Sequence, residues 1–120
     1  MPDSYPEVFA ALKAIFAKHA PRLHAKVDTP DYYYLESKTP TYKNRPMAFG
    51  AVRKGKAYVS FHLMPVYWSP EVVKAMSPEL KKRMQGKACF NFKTVEPKLF
   101  AELKKISDAG YKEFVKRKWL

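Results

Sequence analysis

Near its start the chain places Tyr5, Val8, Phe9, Leu12, Ile15 and Phe16 at three- and four-residue steps, the spacing of one apolar helix face. Ser4 and Glu7 stand at capping-box separation, which predicts a helix from Ser4 that Pro21 ends. Residues 23–27 read as a short strand or a link, and Asp28 to Pro30 as a turn. Asp31 to Ser37, with three consecutive tyrosines, is a better strand. Lys38 to Pro46 reads as a loop and Met47 to Arg53 as a further strand. Lys54, Gly55 and Lys56 then form a tight hairpin turn, Gly55 supplying the permissive backbone. Its partner is KAYVSFHLMPVYW, which alternates cleanly. Val59, Phe61 and Leu63 point one way, toward helices; Tyr58, Ser60, His62 and Met64 point the other. Pro65 has no N–H to give the ladder and ends the strand.

Ser69-Pro70-Glu71 and Ser77-Pro78-Glu79 repeat one helix-start signal, a serine cap followed by proline in the first turn. The first of these helices is expected to run to about Met76, and the second to end before Gly86. ACFNFK alternates again as a last strand, with Ala88, Phe90 and Phe92 on its apolar side and Cys89, Asn91 and Lys93 on the other. A final helix opens at Glu96-Pro97; Leu99, Leu103, Ile106, Gly110 and Phe114 line one side, widened by Phe100 and Tyr111. Amphipathic helices around short alternating strands predict an α/β fold: a two-layer α/β sandwich. Its sheet is mostly antiparallel, with long N- and C-terminal helices on one face. One domain over residues 1–120 is expected from 120 residues that are 47% hydrophobic.

Charge changes this picture on the polar face. The formal net charge is +12, and it is uneven. Residues 1–36 carry four basic and five acidic side chains, whereas residues 37–120 carry nineteen basic and six acidic ones, a net of +13. Such a field attracts anions: a phosphorylated ligand, an acidic partner or nucleic acid. Equally, lysines on helices serve solubility. The opening residues lack the basic start and cleavage site of a signal peptide, and charges interrupt every apolar run. No membrane partner and a cytoplasmic location are expected.

Candidate chemistry is sparse. A lone cysteine, Cys89, excludes an internal disulfide and a multi-cysteine metal site. Basic neighbours would favour its thiolate, but nothing adjacent marks a nucleophile. The histidines His19, His24 and His62 form no HxH or HExxH motif, and no glycine-rich phosphate loop occurs. Asp28, Asp31 and Glu36 are the only local acidic group, more a turn than a cation site. Ser60 and His62 lie two residues apart on one strand face, roughly 6.5 Å, too far for a direct bond. These features predict a non-enzymatic domain with no cofactor, no metal and no catalytic residue. The predicted ligand-binding surface is Tyr58, Ser60, His62 and Met64, joined by Asn91 and Lys93, with Tyr67 and Trp68 at its rim and Lys87 in reach. Rings beside a few polar groups suit a small organic anion. The same surface could instead seat a second copy of the chain. Stacking of single-stranded nucleic acid on its tyrosines is a weaker option.

MAFGAVRKGKAYVSFHLMPVY, the short helices after it, and GKACFNFKTVEPKLFAELKKI resemble the DUF1801 family, also called YdhG-like, over residues 33–117. The resemblance implies a compact α/β domain with an antiparallel sheet and flanking helices, somewhat frataxin-like. Most members of the family are uncharacterised, so the expected role as a small binding or adaptor domain rests on the missing nucleophile–base pair, metal spacing and phosphate loop. Some members are described as intracellular iron chaperones that deliver iron through surface carboxylates. The net +13 region departs from that role, because it repels iron cations.

Overall fold

The six apolar residues of the first stripe are all buried on one face of α1 (Tyr5–Phe16). In the computed structural model, which describes residues 5–38, 46–85 and 89–117 apart from the side chains of Trp68 and Gln85, that face lies on a sheet. The predicted cap at Ser4 falls outside the described residues. α1 stops at Phe16, ahead of Pro21; His19 sits in a turn, and a short 3-10 turn follows over Ala20–Arg22.

Among the described residues six strands form one sheet in the order β1-β2-β3-β4-β6-β5, every neighbouring pair antiparallel. They are β1 (His24–Asp28), β2 (Tyr32–Glu36), β3 (Ala48–Lys54), β4 (Val59–Leu63), β5 (Met84–Gln85) and β6 (Cys89–Phe92). Between β4 and β5 run α2 (Pro65–Trp68), α3 (Pro70–Lys74) and α4 (Pro78–Lys82); α5 (Pro97–Lys116) follows β6. Neither α2 nor β5 was expected. Ser77 caps α4 as predicted, its hydroxyl oxygen accepting the Leu80 N–H at 3.2 Å while its O–H donates to Glu102 at 2.9 Å. Ser69 makes no such side-chain cap on α3, and its buried hydroxyl has no hydrogen-bond partner among the described residues.

The alternation of β4 holds. Val59, Phe61 and Leu63 are fully buried, while Ser60 and His62 between them are half-buried. Phe61 stacks on Phe16 of α1, ring centres 4.8 Å apart. α5 reaches the sheet through Phe114 against Phe49 (5.1 Å) and Phe100 against Phe92 (4.9 Å). Phe49 owes its place to a β-bulge. Leu35 pairs with Gly50 and Glu36 with Ala48, so Phe49 is the extra residue. Strict alternation would have turned it away from the helices.

Two polar ties close the ends of this layer. His19, only 3% exposed, hydrogen-bonds Asp108 of α5 at 2.8 Å and stacks on Tyr111 at 4.1 Å. Arg83, after α4, forks onto both carboxylate oxygens of Glu96 at the start of α5. Among the described residues no helix is long and apolar enough to cross a membrane.

Candidate functional site

The polar residues of β4 and β6 stand opposite one another on the face turned away from Phe61. The register pairs Ser60 with Asn91 and His62 with Cys89. The Ser60 hydroxyl donates to Asn91 Oδ1 at 3.0 Å, and His62 Nδ1 lies 2.8 Å from Cys89 Sγ. On the β3 side, Ala51 pairs with His62 and Arg53 with Ser60. β2 adds Tyr34 beside Ala51 and Tyr32 beside Arg53. The open face is therefore two cross-strand rows, Tyr34-Ala51-His62-Cys89 and Tyr32-Arg53-Ser60-Asn91.

The second row ends at a concavity of about 630 Å³ lined by Asp31, Arg53, Lys54, Gly55, Lys56, Ala57, Tyr58 and Ser60. Its shape comes from the β3–β4 hairpin. The connection is residues 55–58, longer than the predicted three-residue turn, because β4 begins at Val59, with the Gly55 N–H donating to the Tyr58 carbonyl at 2.9 Å. The Tyr5 hydroxyl of α1 donates to the Ala57 carbonyl at 2.6 Å and pins this loop. Three cations and one carboxylate line the hollow. The carboxylate, Asp31, is engaged by Lys54 at 3.0 Å. Arg53 and Lys56 have no carboxylate partner among the described residues; the Arg53 guanidinium lies 5.8 Å from the Tyr32 ring centre. Cations without a fixed counter-charge are free to meet an incoming anion.

Of the predicted surface, the structure brings together Ser60, His62 and Asn91, with Tyr58 beside Ser60 in the concavity. Tyr58 belongs to the hairpin loop, one residue outside the strand, and is 40% exposed. Met64 also leaves the strand: it sits in a turn, half-buried, its N–H donating to the Phe49 carbonyl. Tyr67 borders a separate groove with Val66, Pro70 and Val73. Lys93 lies exposed in the bend after β6. Trp68 is in α2, its side chain not described, and Lys87 is outside the described residues. Missed from sequence were Arg53, Lys54 and Lys56 as one cationic lining, and the contact of His62 with Cys89. Asp28 and Asp31 do not converge on a cation; they pair with Lys13 and Lys54. Among the described residues no three His, Cys, Asp or Glu side chains are grouped to hold a metal ion.

Burial sets the protonation of the central pair. It pushes the His62 imidazole below its ordinary pKa and the Cys89 thiol above its own. This corrects the expectation that basic neighbours favour a Cys89 thiolate: desolvation wins, and the pair rests uncharged. It also gives a pH dependence. A lowered native imidazole pKa means the unfolded chain binds the proton first, so stability falls as pH drops below about 6.5 and levels off below the native pKa. Between neutral and mildly acidic pH, the urea midpoint of wild type should therefore fall relative to that of His62→Gln. A difference that stays constant with pH would remove His62 from the titration.

Comparison with known proteins gave no match: no family model, no curated protein and no solved structure is significantly similar to the chain.

Proposed function

We propose that this chain is a YdhG-like (DUF1801) two-layer sandwich that binds a small organic anion on the open face of its sheet. The observation that carries this reading is the hairpin concavity, where Arg53 and Lys56 stand without carboxylate partners among the described residues, beside the Tyr58 ring and the Ser60 hydroxyl. Charged groups would fix the anion, while ring and hydroxyl would orient its organic part. The cationic lining disfavours an iron chaperone. It also disfavours a two-fold dimer through this hollow, which would bring Arg53, Lys54 and Lys56 against their own copies.

A second reading has one specific support. Tyr32 and Tyr34 share the open face, with Arg53 5.8 Å from the first ring and Lys26 5.8 Å from the second. Tyrosines interleaved with cations suit the bases and phosphates of a single strand.

Titration with adenosine monophosphate, benzoate and a short oligothymidylate separates the two. The anion reading expects saturable binding of one of the small probes, weakened at least about tenfold, roughly 1.4 kcal/mol, by Arg53→Glu with Lys56→Glu. No binding of any probe at low salt, or equal affinity in the double variant, rejects the site. Binding of the oligonucleotide alone, falling steeply with salt, favours the second reading.

A further inference from the structure

His62 and Cys89 are neighbours across β4 and β6, and the 2.8 Å between Nδ1 and Sγ is hydrogen-bond distance. Both are half-buried, so the pair keeps partial access from the open face. In the tautomer that carries its proton on Nε2, Nδ1 accepts from the Cys89 S–H, the arrangement that lets an imidazole remove a thiol proton as the sulfur attacks. The Ser60–Asn91 pair is the next outward-facing pair along the same two strands. Same-face neighbours on a strand are roughly 6.5 Å apart, and paired residues across strands about 5 Å. Ser60 itself lines the cationic hollow. Cys89 is thus two strands across and one outward-facing step along from Arg53, roughly 12 Å at the backbone, a span that the long Arg53 side chain and an extended ligand with a carboxylate against it can bridge together.

We propose that Cys89 is a site of thiol–disulfide exchange with small, negatively charged disulfides, with His62 relaying the proton. The choice of an anionic ligand rests on the anion-binding reading; the relay does not. In the step, the Cys89 S–H proton passes to His62 Nδ1 as Sγ attacks one sulfur of the disulfide. A Cys89–sulfur bond forms and the ligand's S–S bond breaks. The departing sulfur takes the proton from His62 and leaves as a free thiol. Cys89 is oxidised to the mixed disulfide, the departing sulfur is reduced, and no further reactant is needed. Because the resting thiol is held uncharged by burial, little thiolate stands ready without the relay.

The chain's one cysteine makes the experiment direct, since any mixed disulfide reports on Cys89. Intact-mass time courses follow adduct formation with glutathione disulfide, which is net negative, and cystamine, which is net positive, at low salt. The folded protein should react with glutathione disulfide at least about tenfold faster than the urea-unfolded chain. It should also prefer that probe over cystamine. His62→Gln, with its fold checked by circular dichroism, should slow both probes about tenfold or more, within the usual contribution of a positioned base. Arg53→Glu with Lys56→Glu should slow only the anionic probe. Reaction no faster than in the unfolded chain, or equal rates with and without His62, overturns the proposal. Loss of the probe preference alone, with the His62 effect intact, overturns the anion-binding reading and leaves the relay standing.

Discussion

Gly50→Ala is expected to destabilise the fold by about 1–3 kcal/mol, the usual cost of forcing an extra carbon into a filled core. A Cβ at Gly50 would lie 2.5 Å from Phe16 Cζ and 2.8 Å from the His62 carbonyl oxygen. Neither neighbour has room to move. Phe16 is fully buried, stacked on Phe61 and edge-on to Phe49 at 5.6 Å. The carbonyl belongs to the β3–β4 ladder, where His62 pairs with Ala51. The ring of α1 thus packs directly on the backbone of β3, and glycine is what allows it. Urea unfolding measures the loss. Adding Phe16→Leu removes the ring's far end, so the Gly50 substitution should cost less in that background; the carbonyl contact keeps relief partial. An alanine variant within about 0.5 kcal/mol of wild type would show that the strand shifts freely.

Asp108→Ala should cost a similar amount, about 1–3 kcal/mol, for a different reason. It leaves the His19 ring, 3% exposed, without the acceptor now 2.8 Å away. A buried donor that loses its partner carries its desolvation cost uncompensated. Lys18 lies 3.6 Å from the other carboxylate oxygen, but it is well exposed and adds little. Asp108→Asn keeps an acceptor oxygen and should recover part of the loss. Denaturation midpoints of the two variants decide the point: if alanine and asparagine are equally stable, the hydrogen bond is not what holds the turn after α1 to α5.

What could be read from the sequence was whatever repeats locally. The stripes of α1 and α5 and the alternation of β4 each show their period within one element, and all are borne out by burial. Elements too short to show a period went unseen. α2 has four residues and β5 two. The bulge at Phe49 breaks the period of β3, and no property of phenylalanine announces it. The site was legible in part. Facing assignments placed Ser60, His62 and Asn91 on one side correctly. Which residue of β6 stands across from His62 depends on register, which is set by partners far along the chain. The same limit hid His19 and Asp108, 89 positions apart. From sequence Arg53 ends a strand and Lys54 and Lys56 sit in a tight turn; that they line one hollow depends on the loop's extra residue, which leaves no mark on composition.

α5 is the last described element of the chain, yet its Phe100 and Phe114 cover Phe92 and Phe49 on the sheet. During synthesis the four-stranded meander β1–β4 leaves the ribosome well before its cover does. Chain growth at about 5–20 residues per second leaves the Phe49 ring of β3 without its Phe114 contact for seconds. Over that interval the nascent sheet offers an apolar face to other chains, and the yield of folded protein becomes a contest between the emergence of α5 and association with a neighbour.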